Sequence, residues 1–280
     1  MKKLKSLLTV LVILVLATAI VGGCGSTPAE NNQQTGTGDE NKSIVLKVGA
    51  TPVPHAELLA EVKDDLAAEG ITLEIVNYQD YVQPNLNLAD GEIDANFFQH
   101  IQYLEGFNKD HNLDLVNAGG IHIEPMGIYS NVISDLKDVK EKAKVAIPND
   151  ATNGGRSLLL LEKAGLITIG EVEGDITPRS IKENPHNLEI IEVEAAMLPK
   201  IVDDVQFAVI NTNYALDAGF NPMKDALFME DSDSPYVNII TTRKGDENSP
   251  AIKKLIEALT SEDIRNFIIE KYEGAVVPAF

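Results

Sequence analysis

Cysteine occurs once in the 280 residues, at position 24, and tryptophan does not occur at all. A lone cysteine excludes an intramolecular disulfide and any cysteine-cluster metal site. Aromatic residues make up only 5% of the chain, so each ring outside an obvious core position carries information. Positive charge is also scarce: 23 lysines and arginines face 43 acids, for a formal net charge of −20. A nucleic-acid partner would need a basic surface to displace counterions, and this balance argues against one. The usual catalytic signatures are missing as well. The histidines, at 55, 100, 111, 122 and 186, form no H-E-x-x-H or other strong metal spacing. There is no G-x-S-x-G and no complete phosphate loop. The sequence therefore offers no catalytic residue, no metal site and no cofactor. Its many carboxylates read as a solvated acidic face.

Long apolar runs are limited to one. Residues 7–21, LLTVLVILVLATAIV, follow the lysine-rich MKKLKS and are short for a bilayer crossing. They fit the apolar region of a secretory leader. Val21-Gly22-Gly23-Cys24 comes next, and it resembles the lipobox of bacterial lipoproteins, with Cys24 as the lipid acceptor. On this reading residues 1–23 are a signal peptide. Residues 24–43 are then a lipidated cysteine and a tether too polar to order itself. Two acyl chains on Cys24 would hold the protein firmly at the extracytoplasmic face of a cell membrane.

From residue 44 onward the pattern alternates. Strands are expected at 44–49, 71–76, 113–117, 144–148, 188–193, 207–211 and 237–242. Helices are expected at 55–69, 84–89, 97–109, 135–142, 155–164, 249–259 and 262–272. Such alternation argues for an α/β fold with largely parallel sheets. The length suggests two α/β lobes with a cleft between them, and ligands in open α/β sheets bind beyond the strands' carboxyl ends.

Four segments could carry a site. In 144–165, KVAIPNDATNGGRSLLLLEKAG, a strand leads through a glycine-containing turn into a helix expected near Gly155. Free N–H groups at a helix start attract anions, and the Arg156 fork suits a carboxylate. The alternative is a capped helix whose arginine meets water or a nearby acid. In 77–107, Tyr81, Phe98, His100 and Tyr103 lie close in sequence. Helical spacing puts Phe97, Ile101 and Leu104 on a core stripe, with Phe98 and Tyr103 off it. Those rings could grip a thioether, or all could be core. In 206–216, Asn211, Thr212 and Asn213 follow an apolar strand, which suits a zwitterion or ordinary turn chemistry. Asn238 interrupts the apolar run 237–242 and must find a partner in backbone or ligand.

Taken together, DYVQPN (80–85), GEIDANFFQHIQYL (91–104), IEPMGIYS (123–130), VAIPNDATNGGRSLLLLEKAGLI (145–167), VINTNYA (209–215) and SPYVN (234–238) resemble the methionine-binding lipoproteins of bacterial ABC importers. The likeness spans residues 44–280. It implies a two-lobed periplasmic-binding-protein fold, type II-like, with two crossover segments and an interlobe ligand cleft. Lobe 1 would hold 44–128 plus 241–280, and lobe 2 would hold 129–240. Tyr81, Phe98 and Tyr103 match the family's cage for the methionine side chain, with His100 beside it. Arg156 matches the arginine that takes the α-carboxylate. Asn211 and Asn238 match amides that hold the polar end, assisted by Asn153. Glu124 has no assigned role.

The implied function is non-enzymatic. The protein would capture L-methionine, D-methionine or a methionine dipeptide and deliver it to the permease and ATPase of an ABC importer. Two other readings compete with it. One is a lipid-anchored surface protein with an adhesive or signalling role. The other is a hydrolase or metal-binding protein of similar shape.

Overall fold

A computed structural model describes residues 43–280. The leader, Cys24 and the tether through residue 42 lie outside the described residues. No described helix is long and apolar enough to cross a membrane.

Two sheets organise the chain. The first has six strands in the order Val277–Pro278, Val116–Ile123, Val237–Thr242, Ala95–His100, Ile44–Ala50 and Ile71–Asn77. The second has five, in the order Ala226–Met229, Gly127–Tyr129, Phe207–Ile210, Lys144–Pro148 and Glu189–Val193. Each has its own apolar core. Val48, Leu58, Leu66, Phe97, Ile240 and Leu255 pack together in the first half. Ile128, Val145, Ile147, Leu158, Leu161 and Phe207 do so in the second. The architecture is mixed α/β, as the alternation of the sequence requires.

The sheets are less parallel than expected. Ile44–Ala50 pairs in parallel with both Ile71–Asn77 and Ala95–His100, and Lys144–Pro148 with both of its neighbours. Val237–Thr242, however, runs antiparallel to Ala95–His100, and Gly127–Tyr129 antiparallel to Phe207–Ile210. These two are the strands entered directly after the chain passes from one sheet to the other. A strand fed from the opposite sheet has no crossover helix to turn it round, so it arrives in the reverse sense. The expected lobe boundaries at 128/129 and 240/241 fall inside these strands. Pairing places all of Gly127–Tyr129 in the second sheet and all of Val237–Thr242 in the first. The crossing segments are therefore 124–126 and 230–236.

Four expected elements change. Residues 97–100 belong to the strand Ala95–His100, and the helix is Ile101–His111. Every residue of that strand is buried, so it shows no alternation of apolar and polar residues, and its apolar spacing mimics a helix. The helix expected near Gly155 begins four residues earlier, as Ala151–Lys163, because the Asp150 side chain accepts the Asn153 N–H and caps it. Of the helix expected at 135–142 only one turn forms, Leu136–Asp138. The strand expected at 113–117 lies further on, at Val116–Ile123.

Candidate functional site

Strand geometry builds the first wall. Successive side chains of a strand point to opposite faces. Phe97 therefore joins the first core, while Phe98 turns the other way and packs with Tyr103 and Phe107. The Tyr81 ring lies 5.8 Å from Phe98 and 5.7 Å from Tyr103. The Tyr103 hydroxyl donates to the Tyr81 carbonyl at 3.0 Å, which fixes one ring against the other's backbone. His100 ends the strand and caps the next helix, its Nδ1 accepting the Tyr103 N–H at 3.1 Å. Register sets Asn238 opposite both His100 and His122, so the polar residue of that apolar strand faces the same place.

The helix Ala151–Lys163 builds the second wall. Gly154 and Gly155 let its first turns approach closely: a Cβ on Gly154 would lie 2.9 Å from the Pro148 carbonyl oxygen, and one on Gly155 3.1 Å from that of Ile176. Asn153 sits in the first turn and Arg156 in the second, where the dipole penalty on a cation has faded. Asn211 stands between the strand Phe207–Ile210 and the short helix Thr212–Asp217, and its side chain does not cap that helix.

These elements enclose one narrow cavity of about 20 Å³, little more than a single water needs. Tyr81, Phe98, His100, Tyr103, Asn153, Arg156, Asn211 and Asn238 all line it. Every residue singled out in the sequence as a ligand contact is thus brought to one place, with rings from one half facing Arg156 and amides from the other. Gln99, Glu124, Thr212 and Asn213 line it as well. Asn213 accepts the Tyr81 hydroxyl at 2.6 Å, a bond between the two halves.

Arg156 is only 3% exposed and does not stand alone. Its Nε and Nη2 donate to the Glu230 carboxylate at 2.8 and 2.5 Å, and Nη2 also donates to the Glu124 carbonyl at 2.8 Å. Glu230 and Glu124 lie on the two crossing segments, so one guanidinium ties both to the second half. Glu230 further accepts the Met126 N–H at 3.0 Å, and the Tyr236 ring lies 4.1 Å from the guanidinium carbon. Nη1 takes no part in these bonds. Nothing in the sequence marked Glu230, because 74 residues separate it from Arg156 and acids are abundant.

Beside the cavity lies a buried polar cluster. His122 Nε2 donates to Glu124 Oε1 at 2.7 Å. His55 Nε2 lies 3.1 Å from both Glu124 Oε1 and Asn238 Oδ1. Both neighbours are acceptors, so Nε2 carries the proton and Nδ1 accepts the Thr51 hydroxyl at 2.7 Å. Burial lowers His55 to about 4, His122 to about 3 and, with the Arg156 charge helping, His100 to about 3. Burial raises Glu124, against the opposing pull of His55, Arg156 and the Asn213 N–H. His55, His122 and Glu124 bring one potential metal-ligand atom each within 4.8 Å of one another. The 2.7 and 3.1 Å separations are hydrogen-bond lengths, so these atoms are already partnered with each other.

The sequence pattern of the NlpA lipoprotein family matches residues 46–280. The chain belongs to the NlpA lipoprotein family. It is 43% identical, over 95% of its length and 96% of the relative's, to the methionine-binding lipoprotein MetQ of Bacillus subtilis. A nutrient-binding protein from Burkholderia cenocepacia bound to methionine superposes with a TM-score of 0.81 at 41% identity, covering 84% of this chain and all of that one. An ABC transporter periplasmic substrate-binding protein from Coxiella burnetii superposes with a TM-score of 0.80 at 39% identity, covering 84% and 100%. The fold is thus that of periplasmic substrate-binding proteins, and it agrees with the α/β reading of the sequence.

Proposed function

We propose that this protein captures methionine in the cavity between its two halves and delivers it to an ABC importer. The observation that carries the reading is the pairing of a ring wall with Arg156 across one enclosed space. Tyr81, Phe98 and Tyr103 hold the thioether, since aromatic rings contact sulfur favourably. Arg156 and Asn238 receive the carboxylate, Asn211 faces the ammonium, and His100 and Asn153 complete the polar floor. D-Methionine and a methionine dipeptide are the closest alternatives. Residues 44–126 with 237–280 form one lobe and 127–229 the other, and a ligand touching both stabilises their closed arrangement. The importer's permease, with its ATPase, then distinguishes loaded from empty protein by shape. Cys24 carries the acyl chains that keep the protein at the outer face of the cell membrane. No step of this cycle is catalytic, and none involves nucleic acid.

The test is thermal unfolding and isothermal titration on protein first unfolded and refolded to remove carried-over ligand. Methionine at about one hundred times its dissociation constant stabilises the fold by about 2.7 kcal/mol. No shift with methionine, alongside a shift with another amino acid, would overturn the substrate.

A further inference from the structure

We propose that Asp150, which does not line the cavity, is a positioning residue that sets which atom of Asn211 faces the ligand. The inference rests on the reading of the cavity as an amino-acid site. An asparagine amide has a donor end and an acceptor end of nearly the same shape. Which end faces a ligand is decided by its other neighbours.

Here the neighbours decide it from two sides. An ionised carboxylate has no proton to donate. Asp150 Oδ1 and Oδ2 lie 3.0 and 3.1 Å from Asn153 Nδ2, so that end of Asn153 is the donor and its oxygen turns away. On the far side, His100 Nδ1 is occupied by the Tyr103 N–H, so Nε2 carries the proton and donates to Asn153 Oδ1 at 3.3 Å. Asn211 Nδ2 donates to the same oxygen at 3.0 Å. Asn211 is thereby locked with its nitrogen spent. Its Oδ1 is left buried without a hydrogen-bond partner among the described residues, on a side chain that lines the cavity.

A buried acceptor without a donor is costly unless something supplies one. The ammonium group of an amino acid supplies it. Asp150 thus makes the second wall select for a ligand with a positive amine, through two amides and without touching the ligand. Its bonds to Asn153 are shorter than the His100 bond, so it is the principal anchor of the relay. Asn at 150 would still cap the helix, with its one oxygen shared by the Asn153 N–H and Nδ2, which both donate to Asp150 Oδ1, at 2.8 and 3.0 Å. Its amide nitrogen would then meet Asn153 Nδ2, donor against donor.

The test is isothermal titration of the purified full-length protein with two probes: methionine, and 4-(methylsulfanyl)butanoate, which is methionine without its ammonium. Wild type should prefer methionine by about ten- to a hundredfold, the range for a hydrogen bond to a charged group. Asp150→Asn should lose most of that preference, weakening methionine about tenfold or more while the desamino probe changes less than about threefold. General damage would weaken both probes alike. An equal loss for both, or an unchanged preference, overturns the proposal. If Asp150→Asn does not fold, Asp150→Ser is the second variant: its hydroxyl also caps a helix but is too short to hold Asn153 Nδ2, and the same collapse of preference is expected. A wild type that binds neither probe refutes the amino-acid reading itself, a separate outcome.

Discussion

The two walls of the cavity are held by different physics. The wall from the first half consists of Tyr81, Phe98 and Tyr103, with Phe107 behind them, and these rings are fixed by contact with one another. Packing of this kind tolerates small shape changes and has few polar atoms to satisfy. The wall from the second half consists of Arg156, Asn153 and Asn211, and each is fixed by named hydrogen bonds to Glu230, Asp150 and one another. Removing one partner there leaves a buried polar atom exposed to nothing, which costs more than the lost bond. A site for a molecule with an apolar tail and a charged head needs both kinds of wall. The difference between them predicts how each should fail.

The largest failure should come from the polar wall. Arg156→Ala strips the partner from Glu230, whose side chain is 13% exposed, and breaking a buried pair costs at most about 3–5 kcal/mol of stability. It also removes the carboxylate contact, worth about 2–5 kcal/mol of affinity. Denaturant unfolding and titration of the same preparation measure the two losses. Unchanged methionine affinity in a folded variant would take Arg156 out of the ligand site. The ring wall should break differently. Phe98→Ala leaves a hole costing about 3–5 kcal/mol of stability, but Phe98→Leu should recover most of that. No conservative replacement should rescue Arg156 in the same way: lysine keeps the charge but cannot make the two-pronged contact with Glu230.

The same contrast explains what the sequence disclosed. The residues of the polar wall follow strands, and a strand's carboxyl end is where α/β proteins place ligands. Arg156 and Asn211 stood out for that reason, and Asn238 because an amide interrupted an apolar run. Their supports did not stand out. Glu230, His55 and Asp150 act through contacts set by the fold, and no spacing rule links residue 55 to residue 238 or 156 to 230. The ring wall is legible as a group of rings, with Tyr103 on its helix, but the spacing puts Phe98 on that helix rather than on the strand before it. Phe97 fits a helical stripe with Ile101 and Leu104 as well as it fits a buried strand, and only pairing with Ile44–Ala50 and Val237–Thr242 shows that Phe97 and Phe98 are strand residues. Of the return strands, Gly127–Tyr129 is not foreseen by the sequence pattern and Val237–Thr242 is foreseen without its antiparallel sense, since direction follows from the crossing of the chain between sheets.

A pH series separates the walls by a smaller effect. His100, His55 and His122 stay neutral in the folded chain down to about 3, 4 and 3 respectively, whereas an unfolded histidine protonates near 6.5. Between those values the unfolded chain binds more protons, so stability rises with pH and is lost on acidification. Glu124 and Asp150, raised by burial, act in the opposite sense, favouring the folded state less as pH rises through their titration. His100→Gln should therefore flatten the dependence of stability on pH between 5 and 6 by about 1 kcal/mol per pH unit. Phe98→Leu should shift the whole curve and leave that slope alone. Denaturant titrations at pH 5, 5.5 and 6 compare them, and equal slopes for wild type and His100→Gln would mean that His100 takes up a proton in the folded protein.

The smallest expected effect lies where the walls meet. The Tyr81 hydroxyl donates to Asn213 Oδ1 at 2.6 Å, so a residue of the ring wall also holds a residue of the polar side. Tyr81→Phe keeps the ring and its packing and removes only this bond, worth about 0.5–1.5 kcal/mol. If the bond forms only when the two halves close on ligand, its loss falls on the closed state alone. Methionine affinity then weakens by about two- to twelvefold, the factor that this energy converts to, while the stability of the ligand-free protein stays within about 0.5 kcal/mol of wild type. If the halves are already closed without ligand, the loss appears in the ligand-free stability and affinity holds. Titration and ligand-free unfolding of Tyr81→Phe thus report whether methionine draws the ring wall onto the polar wall or enters a cavity that is already assembled.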